Sequence, residues 1–182
     1  MTTDFFGKSL SGPLTIPSGI VTTATSIIQY VFDHMPEVGV VTTKSIGLEG
    51  RAGYREPVLS QYAPGCFVNA VGLTNPGAER SRELLGSLQV PADRFLLTSI
   101  FGGSVEEFVA VAEILAPVSD GLELNLSCPH GLPERKMGAA MGQDAALTTE
   151  VCGWVSEVAT VPVWAKMNRS PPIEAPFWTV TR

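Results

Sequence analysis

The chain has 182 residues, of which 45% are hydrophobic and 16% are charged, and its formal net charge is −6. A chain of this length and composition can bury one sizeable core, so we expect a single globular domain and exclude a disordered protein. The lysines and arginines form no basic stripe along the sequence, which disfavours nucleic acid and anionic membrane surfaces as partners.

The cysteines and the apolar runs indicate the compartment. The three cysteines, Cys66, Cys128 and Cys152, form no CxxC pair, and an odd number of thiols fits a reducing environment. We therefore expect neither a disulfide framework nor a metal site. No apolar run approaches the roughly 20 residues of a membrane-spanning helix, and the first residues lack the pattern of a secretory signal. We therefore expect a cytoplasmic protein without membrane contact.

Short β-branched runs alternate with amphipathic segments, as in successive strand–helix units. In chain order, we predict a strand at residues 14–20, a helix at 25–34, a strand at 38–45, a helix at 79–88, a strand at 95–101, a helix at 104–115, a strand at 121–127, a helix at 144–158 and a strand at 161–167. Residues 47–76 and 128–143 are predicted as long loops, which usually hold function. The alternation implies parallel strands, and therefore a barrel or an open doubly wound sheet.

Two of the predicted helices carry clear local signals. Ser104 followed by Glu107 is the pattern of a capping box at the start of the helix at residues 104–115. The helix at residues 144–158 has one apolar face. Its members are Leu147, Val151, Trp154 and Val158.

Polar residues on one strand distinguish a barrel from an open sheet. Residues 121–127 alternate, with Leu122, Leu124 and Leu126 on one face and Glu123, Asn125 and Ser127 on the other. A central strand of an open parallel sheet is covered by helices on both faces, so a polar face indicates the lumen of a barrel. Further polar residues lie near the C-terminal ends of other strands, where barrel active sites are found, namely Lys44, Ser99 and Lys166.

The two strand-end lysines indicate a ligand. Burying a lysine is costly unless a charge is paired with it, so Lys44 and Lys166 predict an anionic or electron-rich ligand nearby. The alternative is that they are surface lysines that merely flank strands. Asn125 on its own would be interpreted as a structural amide, but it is expected to lie beside both lysines and Ser99.

Two segments supply candidate chemistry at the same end of the strands. Cys128 precedes Pro129 and a glycine-rich loop, where a thiol is a candidate acid/base; the alternative is an inert packing thiol, which we expect for Cys66 and Cys152. The segment NAVGLTNPG, residues 69–77, offers two amides and a kinked backbone suited to gripping a planar ring rich in amide groups. Its alternative is a turn followed by a helix cap.

Six segments together resemble the dihydroorotate dehydrogenase family, FMN-dependent barrels that also include the pyrimidine-reducing domain of dihydropyrimidine dehydrogenase. They are TIPSGI, TTKSIG, NAVGLTNPG, SIFGGS, ELNLSCPHG and WAKMN, in the family's order and spacing. The resemblance implies an α/β fold, the N-terminal part of a parallel (β/α)8 TIM barrel with about five of the eight units, and thus an incomplete barrel. Residues 1–168 would be this partial barrel and residues 169–182 an unmatched Pro-rich tail.

The resemblance also implies a role for each site residue. The FMN site would comprise Ser18, Gly19, Lys44, Ser45, Ser99, Asn125 and Lys166. The pyrimidine, on the other face of the flavin, would contact Lys44, Asn69, Gly72, Leu73, Asn75, Asn125 and His130. Cys128 would be the catalytic acid/base, exchanging a proton with a ring carbon as a hydride passes to or from flavin N5. With a cysteine in this role, the chain is similar to the soluble branch of the family.

The resemblance implies an enzyme of pyrimidine metabolism, a flavin-dependent oxidoreductase that interconverts a dihydropyrimidine and a pyrimidine. The first candidate reaction is the oxidation of dihydroorotate to orotate. His130 stands where dihydroorotate enzymes usually carry asparagine, so reduction of uracil or thymine is one alternative. Others are a truncated inactive or scaffold fragment of such a barrel, and a flavin barrel acting on another conjugated C=C bond. The protein partner would be a second copy or an iron–sulfur flavoprotein subunit.

Overall fold

The computed structural model describes residues 3–128 and 138–167. In chain order their elements are β1 Thr3–Phe5, β2 Lys8–Leu10, β3 Leu14–Ile16, α1 Thr25–His34, β4 Val38–Thr42, β5 Leu59–Ala63, β6 Cys66–Asn69, α2 Ala78–Gly86, β7 Phe95–Ile100, α3 Val105–Leu115, a 3-10 turn Ala116–Val118, β8 Gly121–Leu126, α4 Ala139–Gly142, α5 Ala145–Val158 and β9 Val163–Met167. All nine predicted strands and helices are therefore present. None of the helices in these two ranges is long and apolar enough to cross a membrane.

The central element is a five-stranded sheet in the order β3-β4-β7-β8-β9, and every neighbouring pair is parallel. Each strand of the sheet is followed in the chain by at least one helix before its neighbour begins. This sequential order is that of a TIM barrel, whereas a doubly wound sheet reverses its order at a switch point. The sheet curls into a half-barrel, so the predicted fold class is confirmed.

The two faces of the sheet differ as the alternation in β8 predicted. Leu122, Leu124 and Leu126 are fully buried in the main core, which the helices complete on the outer face. Glu123 and Asn125 point to the inner face, where they are 7% and 6% exposed. The inner face is thus the lumen of the half-barrel, and β8 carries polar groups into it.

The N-terminal ends of the strands are closed by a hairpin that was not predicted. β1 and β2 pair antiparallel, with Phe6 and Gly7 at positive φ in the turn. The Phe5 ring stacks on Trp164 at 5.5 Å and meets the Phe95 ring edge-on at 5.1 Å. Strands of three residues are too short to show a hydrophobic period, which is why the sequence analysis missed this hairpin.

A second hairpin lies within the segment predicted as a loop. β5 and β6 pair antiparallel and turn at Gly65, whose φ is +74°. Nearly all of their residues are exposed, so neither strand shows the alternation of a half-buried sheet. Residues 47–76 were therefore correctly predicted as an excursion, but not as an excursion with regular structure.

The predicted cap of α3 and the predicted apolar face of α5 are both present, but each differs from the prediction in one detail. Ser104 caps α3 by accepting the Glu107 N–H, but Glu107 accepts from the Gly103 N–H and not from Ser104, so the capping box is not reciprocal. Trp154, one of the four residues of the predicted apolar face, is 52% exposed. The buried residues of α5 are Val151 and Val155, so Trp154 lies at the border of that stripe.

The first predicted strand is also shorter than expected. β3 ends at Ile16, whereas the prediction extended it to residue 20. Pro17 lacks the N–H that a ladder needs, and Gly19 and Val21 have φ of +84° and +51°, so the chain turns away from the sheet. This turn carries Ser18 and Gly19 over the C-terminal ends of the strands.

Candidate active site

A cavity of about 390 Å³ opens at the C-terminal ends of the strands, within the range of roughly 300–1,000 Å³ typical of small-molecule sites. Its walls come from the turn after β3, the loop after β4, the segment between β6 and α2, and the ends of β8 and β9. The predicted site residues that line it are Ser18, Gly19, Lys44, Ser45, Asn69, Gly72, Leu73, Asn125, Cys128 and Lys166. Residues far apart in sequence are thus brought to one cavity.

Ser45 is the hub of a hydrogen-bond network in the cavity wall. Its Oγ lies 3.2 Å from Ser18 Oγ and 2.9 Å from Ser99 Oγ, and it accepts from Asn125 Nδ2 at 2.8 Å. One hydroxyl proton and two lone pairs serve three partners, so the bonding capacity of Ser45 is filled. Ser99 does not line the cavity; it is fully buried behind Ser45.

The same network fixes the amide of Asn125. Its Oδ1 accepts from the backbone N–H and the hydroxyl of Ser127, at 3.3 and 3.0 Å, while Nδ2 donates to Ser45. Both acceptor sites and one of the two N–H groups are occupied. Among residues 3–128 and 138–167 the second N–H of Asn125 has no partner, and Asn125 lines the cavity, so this residue offers a donor to a ligand.

Asn75 braces its own loop. Its Oδ1 accepts from the N–H groups of Gly47 and Gly77, and its Nδ2 donates to the Leu73 carbonyl. It lines a smaller cavity of about 50 Å³ that shares Thr23, Lys44 and Thr74 with the large one. The structure therefore does not bring Asn75 to the wall of the large cavity. His130, the remaining predicted contact, lies outside the described residues.

The backbone next to Asn75 is strained where it meets the cavity. Gly72 and Leu73 have consecutive positive φ values of +80° and +55°. A Cβ on Gly72 would lie 2.8 Å from the Tyr54 nitrogen, so only glycine fits. Leu73 is 5% exposed and packs with Phe101 and Cys128, which holds it in an unfavourable conformation. This kink turns the segment between β6 and α2 against the cavity.

The two lysines differ in their surroundings. Lys166 Nζ donates to Glu123 Oε1 at 2.8 Å, so its charge already has a partner. Glu123 was predicted on the polar face, but its pairing with Lys166 was not predicted, because both lysines were expected to require an external ligand. Lys44 forms no ion pair with any residue that the structure describes, so the argument for an anionic or electron-rich ligand now rests on Lys44.

The electrostatics of Lys44 follow from its position. Burial lowers its pKa from the usual 10.5; the Cys128 thiolate raises it in part, and the charge of Lys166 lowers it further. Lys44 is therefore a cation that is costly to keep charged when the cavity holds no anion. Its coupling to Cys128 and Lys166 shows that the three groups share one electrostatic environment.

Replacing Lys44 with methionine is expected to stabilise the chain at about pH 7, because it removes the cost of a buried ammonium. Between the lowered pKa and 10.5 the unfolded chain binds more protons than the folded one, so wild-type stability rises with pH in this window. The advantage of Lys44→Met should shrink as the pH approaches 10.5. Urea unfolding of both proteins at several pH values measures it.

The matched control for this prediction is Lys8→Met at the other end of the strands. Lys8 pairs with Asp120 at 2.5 Å, so its removal should lower stability instead of raising it. A Lys44→Met advantage that grows with pH, or a loss of stability at every pH, would contradict the interpretation of Lys44.

Cys128 lies two residues after the end of β8 and is half-buried in the cavity wall. Gly138 lies against its carbonyl oxygen: a Cβ there would be 2.3 Å from that atom, and φ is +59°. Cys66 is exposed, and Cys152 is half-buried in α5, where burial raises its pKa. Neither lines the cavity, so Cys128 is the cysteine that the fold brings to this site. Within residues 3–128 and 138–167, no three His, Cys, Asp or Glu side chains are grouped as metal ligands would be.

Comparison with known proteins gives the family. A family model described as dihydroorotate dehydrogenase matches residues 1–175. The catalytic subunit of dihydroorotate dehydrogenase B (NAD(+)) from Pyrococcus horikoshii is 40% identical over 163 residues, 90% of this chain and 51% of the relative. The same subunit from Pyrococcus abyssi is 38% identical over 168 residues, 91% of this chain and 52% of the relative.

A second kind of relative matches a shorter stretch at higher identity. Chloroplastic dihydropyrimidine dehydrogenase (NADP(+)) of Arabidopsis thaliana is 54% identical over 82 residues, which is 42% of this chain and 18% of the relative. The chain spans about half the length of the dihydroorotate dehydrogenase B subunits that it matches. Both kinds of relative are named as dehydrogenases of pyrimidine-type substrates.

Proposed function

The chain belongs to the dihydroorotate dehydrogenase family, and from this membership and the cavity we propose that it forms the site of an FMN-dependent oxidoreductase. The reaction is the interconversion of a dihydropyrimidine and a pyrimidine, with dihydroorotate to orotate as the first candidate. The observation that carries the proposal is the convergence of Lys44, Asn125, Cys128 and Lys166 on one cavity at the strand ends. We also propose that the protein works in the cytoplasm.

The donor set of the cavity fits the ring of a flavin. An isoalloxazine ring is planar and carries carbonyl oxygens and ring nitrogens that accept hydrogen bonds. The cavity is lined by Lys44, Lys166, Asn125, Ser18 and Ser45, and one N–H of Asn125 has no partner among the described residues. In the proposal these residues and Gly19 hold the ring, and Ser99 acts through Ser45. FMN, when bound, supplies the hydride chemistry that amino-acid side chains lack.

The pyrimidine is placed on the side of the cavity formed by the segment between β6 and α2. Asn69, Gly72 and Leu73 line the cavity there, and Lys44 and Asn125 line the same cavity. Amide and backbone groups suit a ring whose edge alternates carbonyl and N–H groups. Asn75 holds the shape of this wall through its backbone contacts. His130 stays a predicted contact.

Cys128 is the proposed acid/base. During oxidation of the dihydropyrimidine, its thiolate sulfur accepts the proton from one ring carbon as the adjacent carbon loses a hydride, and a C=C bond forms between them. The reverse reaction returns that proton from the thiol. The Cys128 thiolate raises the pKa of Lys44, so the two side chains are close enough for their opposite charges to attract. The half-buried position of Cys128 limits water at the reacting carbon.

A partner is part of the proposal. The relatives from Pyrococcus are named as catalytic subunits of an NAD(+) enzyme, and a catalytic subunit implies a second kind of subunit. We propose an iron–sulfur flavoprotein subunit that passes electrons to NAD, or a second copy of the chain. Size-exclusion chromatography with light scattering, with and without candidate subunits, distinguishes the two.

The substrate is tested by anaerobic reduction of the flavin. The purified chain is mixed with FMN, passed through a desalting column, and titrated with dihydroorotate or dihydrouracil while the visible flavin band is recorded. The proposal expects the band to bleach with dihydroorotate. Faster bleaching by dihydrouracil would favour the dihydropyrimidine dehydrogenase alternative, which the 54% identity to the Arabidopsis enzyme supports.

Two other outcomes would contradict the proposal. A chain that retains flavin but is bleached by neither compound would be a flavin barrel acting on another C=C bond. A folded chain that retains no flavin would favour the non-enzymatic alternative, a scaffold or binding fragment of such a barrel.

A further inference from the structure

The ion pair between Glu123 and Lys166 crosses two strands diagonally. In the register of β8 and β9, Glu123 lies opposite Trp164, and Lys166 lies opposite Asn125. Lys166 is therefore one inner-face position closer to the cavity than Glu123. Its ammonium group reaches back to Glu123 Oε1 at 2.8 Å while the side chain lines the cavity.

The two partners are buried to different degrees. The Glu123 side chain is 10% exposed and that of Lys166 is 34% exposed. A carboxylate so deeply buried requires a charged or hydrogen-bonding partner. Throughout residues 3–128 and 138–167, the Lys166 ammonium is the partner that the structure gives to this carboxylate. The pair is thus anchored at its Glu123 end and accessible at its Lys166 end.

Lys44 provides the contrast. It lines the same cavity, but it has no ion pair among the residues described in the structure. Glu123 neutralises one of the two ammonium groups, so the group of three side chains has one net positive charge when both lysines are protonated. Lys166 therefore supplies a hydrogen-bond donor that is held in place, and Lys44 supplies the net positive charge.

We propose that Glu123 is a positioning residue that fixes the Lys166 ammonium at the wall of the cavity, where Lys166 donates a hydrogen bond to a planar, electron-rich ring. The inference rests on the proposed function, because it assigns that ring to the bound flavin. A lysine without a partner populates many rotamers, and holding it in advance reduces the ordering cost when a ligand binds. Lys44 remains the source of net positive charge.

The test measures the reactivity of the Lys166 amine in the chain without flavin. Acetic anhydride labels only unprotonated amines, and peptide mass spectrometry reports each lysine separately as a function of pH. The charged or titratable side chains at this wall are Glu123, Lys44 and Cys128. In Glu123→Gln, Lys166 should label severalfold faster than in wild type at the same pH, because its amine loses the carboxylate that holds it and becomes accessible to the reagent.

Two variants keep the result interpretable. Glu113→Gln removes an exposed carboxylate on α3 that does not line the cavity, and it should leave Lys166 labelling unchanged. Glu123→Asp keeps the charge on a shorter side chain, and its Lys166 rate should fall between those of wild type and Glu123→Gln. It serves as the test if Glu123→Gln does not fold. Labelling of Lys8, at the other end of the strands, is the internal reference.

Equal Lys166 profiles in folded wild-type and Glu123→Gln chains, or equal profiles in wild type and Glu123→Asp when Glu123→Gln is unfolded, would overturn the inference. Failure of this inference and failure of the proposed function are distinguishable because labelling needs no flavin. A wild-type chain that does not retain FMN would contradict the proposed function and leave the Lys166 result standing. A flavin-binding chain whose Lys166 ignores Glu123 would contradict the inference alone.

Discussion

Replacing Cys128 with alanine is expected to slow the reduction of bound flavin by dihydroorotate about 10²- to 10⁴-fold, the range that a general acid or base contributes. The physical reason is position: Cys128 is the cysteine in the cavity wall, and its thiolate is coupled to the Lys44 ammonium. Alanine cannot accept the proton, while the donors proposed to hold the flavin are untouched. Anaerobic stopped-flow absorbance of the flavin band measures the rate.

Two variants define what the loss means. Cys66→Ala removes an exposed thiol outside the cavity and should react at the wild-type rate. Cys128→Ser keeps an oxygen that can carry a proton but ionises at much higher pH, so part of the lost rate should return as the pH rises. A Cys128→Ala chain that retains flavin and reacts within a few-fold of wild type would remove Cys128 from the mechanism.

The second large effect concerns stability. Phe108→Ala is expected to lower the free energy of unfolding by about 3–5 kcal/mol, as for other large-to-small changes in a core. Phe108 is 0% exposed in α3 and belongs to the main core, so its removal leaves a cavity that the packed helices and sheet cannot fill. Urea unfolding followed by circular dichroism gives the difference.

Phe67→Ala is the matched control, since the same side chain on the exposed β6 strand is 60% exposed. Phe67→Ala should lower the free energy of unfolding only slightly, because few contacts are lost. Similar small losses for both variants would mean that the half-barrel core is not tightly packed in the isolated chain. A large difference between them would show that the described part of the chain folds around a specific core.

The fold could be predicted largely from local pattern. The alternation from Leu122 to Leu126 requires one apolar and one polar face, and that requirement alone distinguishes a lumen from a sheet covered on both sides. The β1–β2 hairpin could not be predicted, because Thr3–Phe5 and Lys8–Leu10 are too short to show a period. Its position depends on Phe95 and Trp164, which are distant in sequence.

The sequence indicates which residues form the site better than it indicates how these residues contact one another. Glu123 and Lys166 were both noted as polar, but their pairing depends on the register of β8 with β9, which no residue type specifies. Ser99 was assigned to the pocket, yet its hydroxyl contacts Ser45 from behind the wall. Contacts between one site residue and another arise from tertiary packing. A sequence pattern therefore indicates which residues meet but not which of them face the ligand.

The proposed function requires that the cavity at the strand ends binds the ring of a flavin. The most direct measurement is a fluorescence titration of lumiflavin, the ring without its ribityl phosphate, with the full chain, because the residues proposed to hold FMN would contact only its ring. If the cavity binds this ring, we expect saturable quenching that weakens in Lys44→Met, a variant expected to be at least as stable as wild type at about pH 7. Unquenched lumiflavin and FMN in the presence of a folded chain would contradict it.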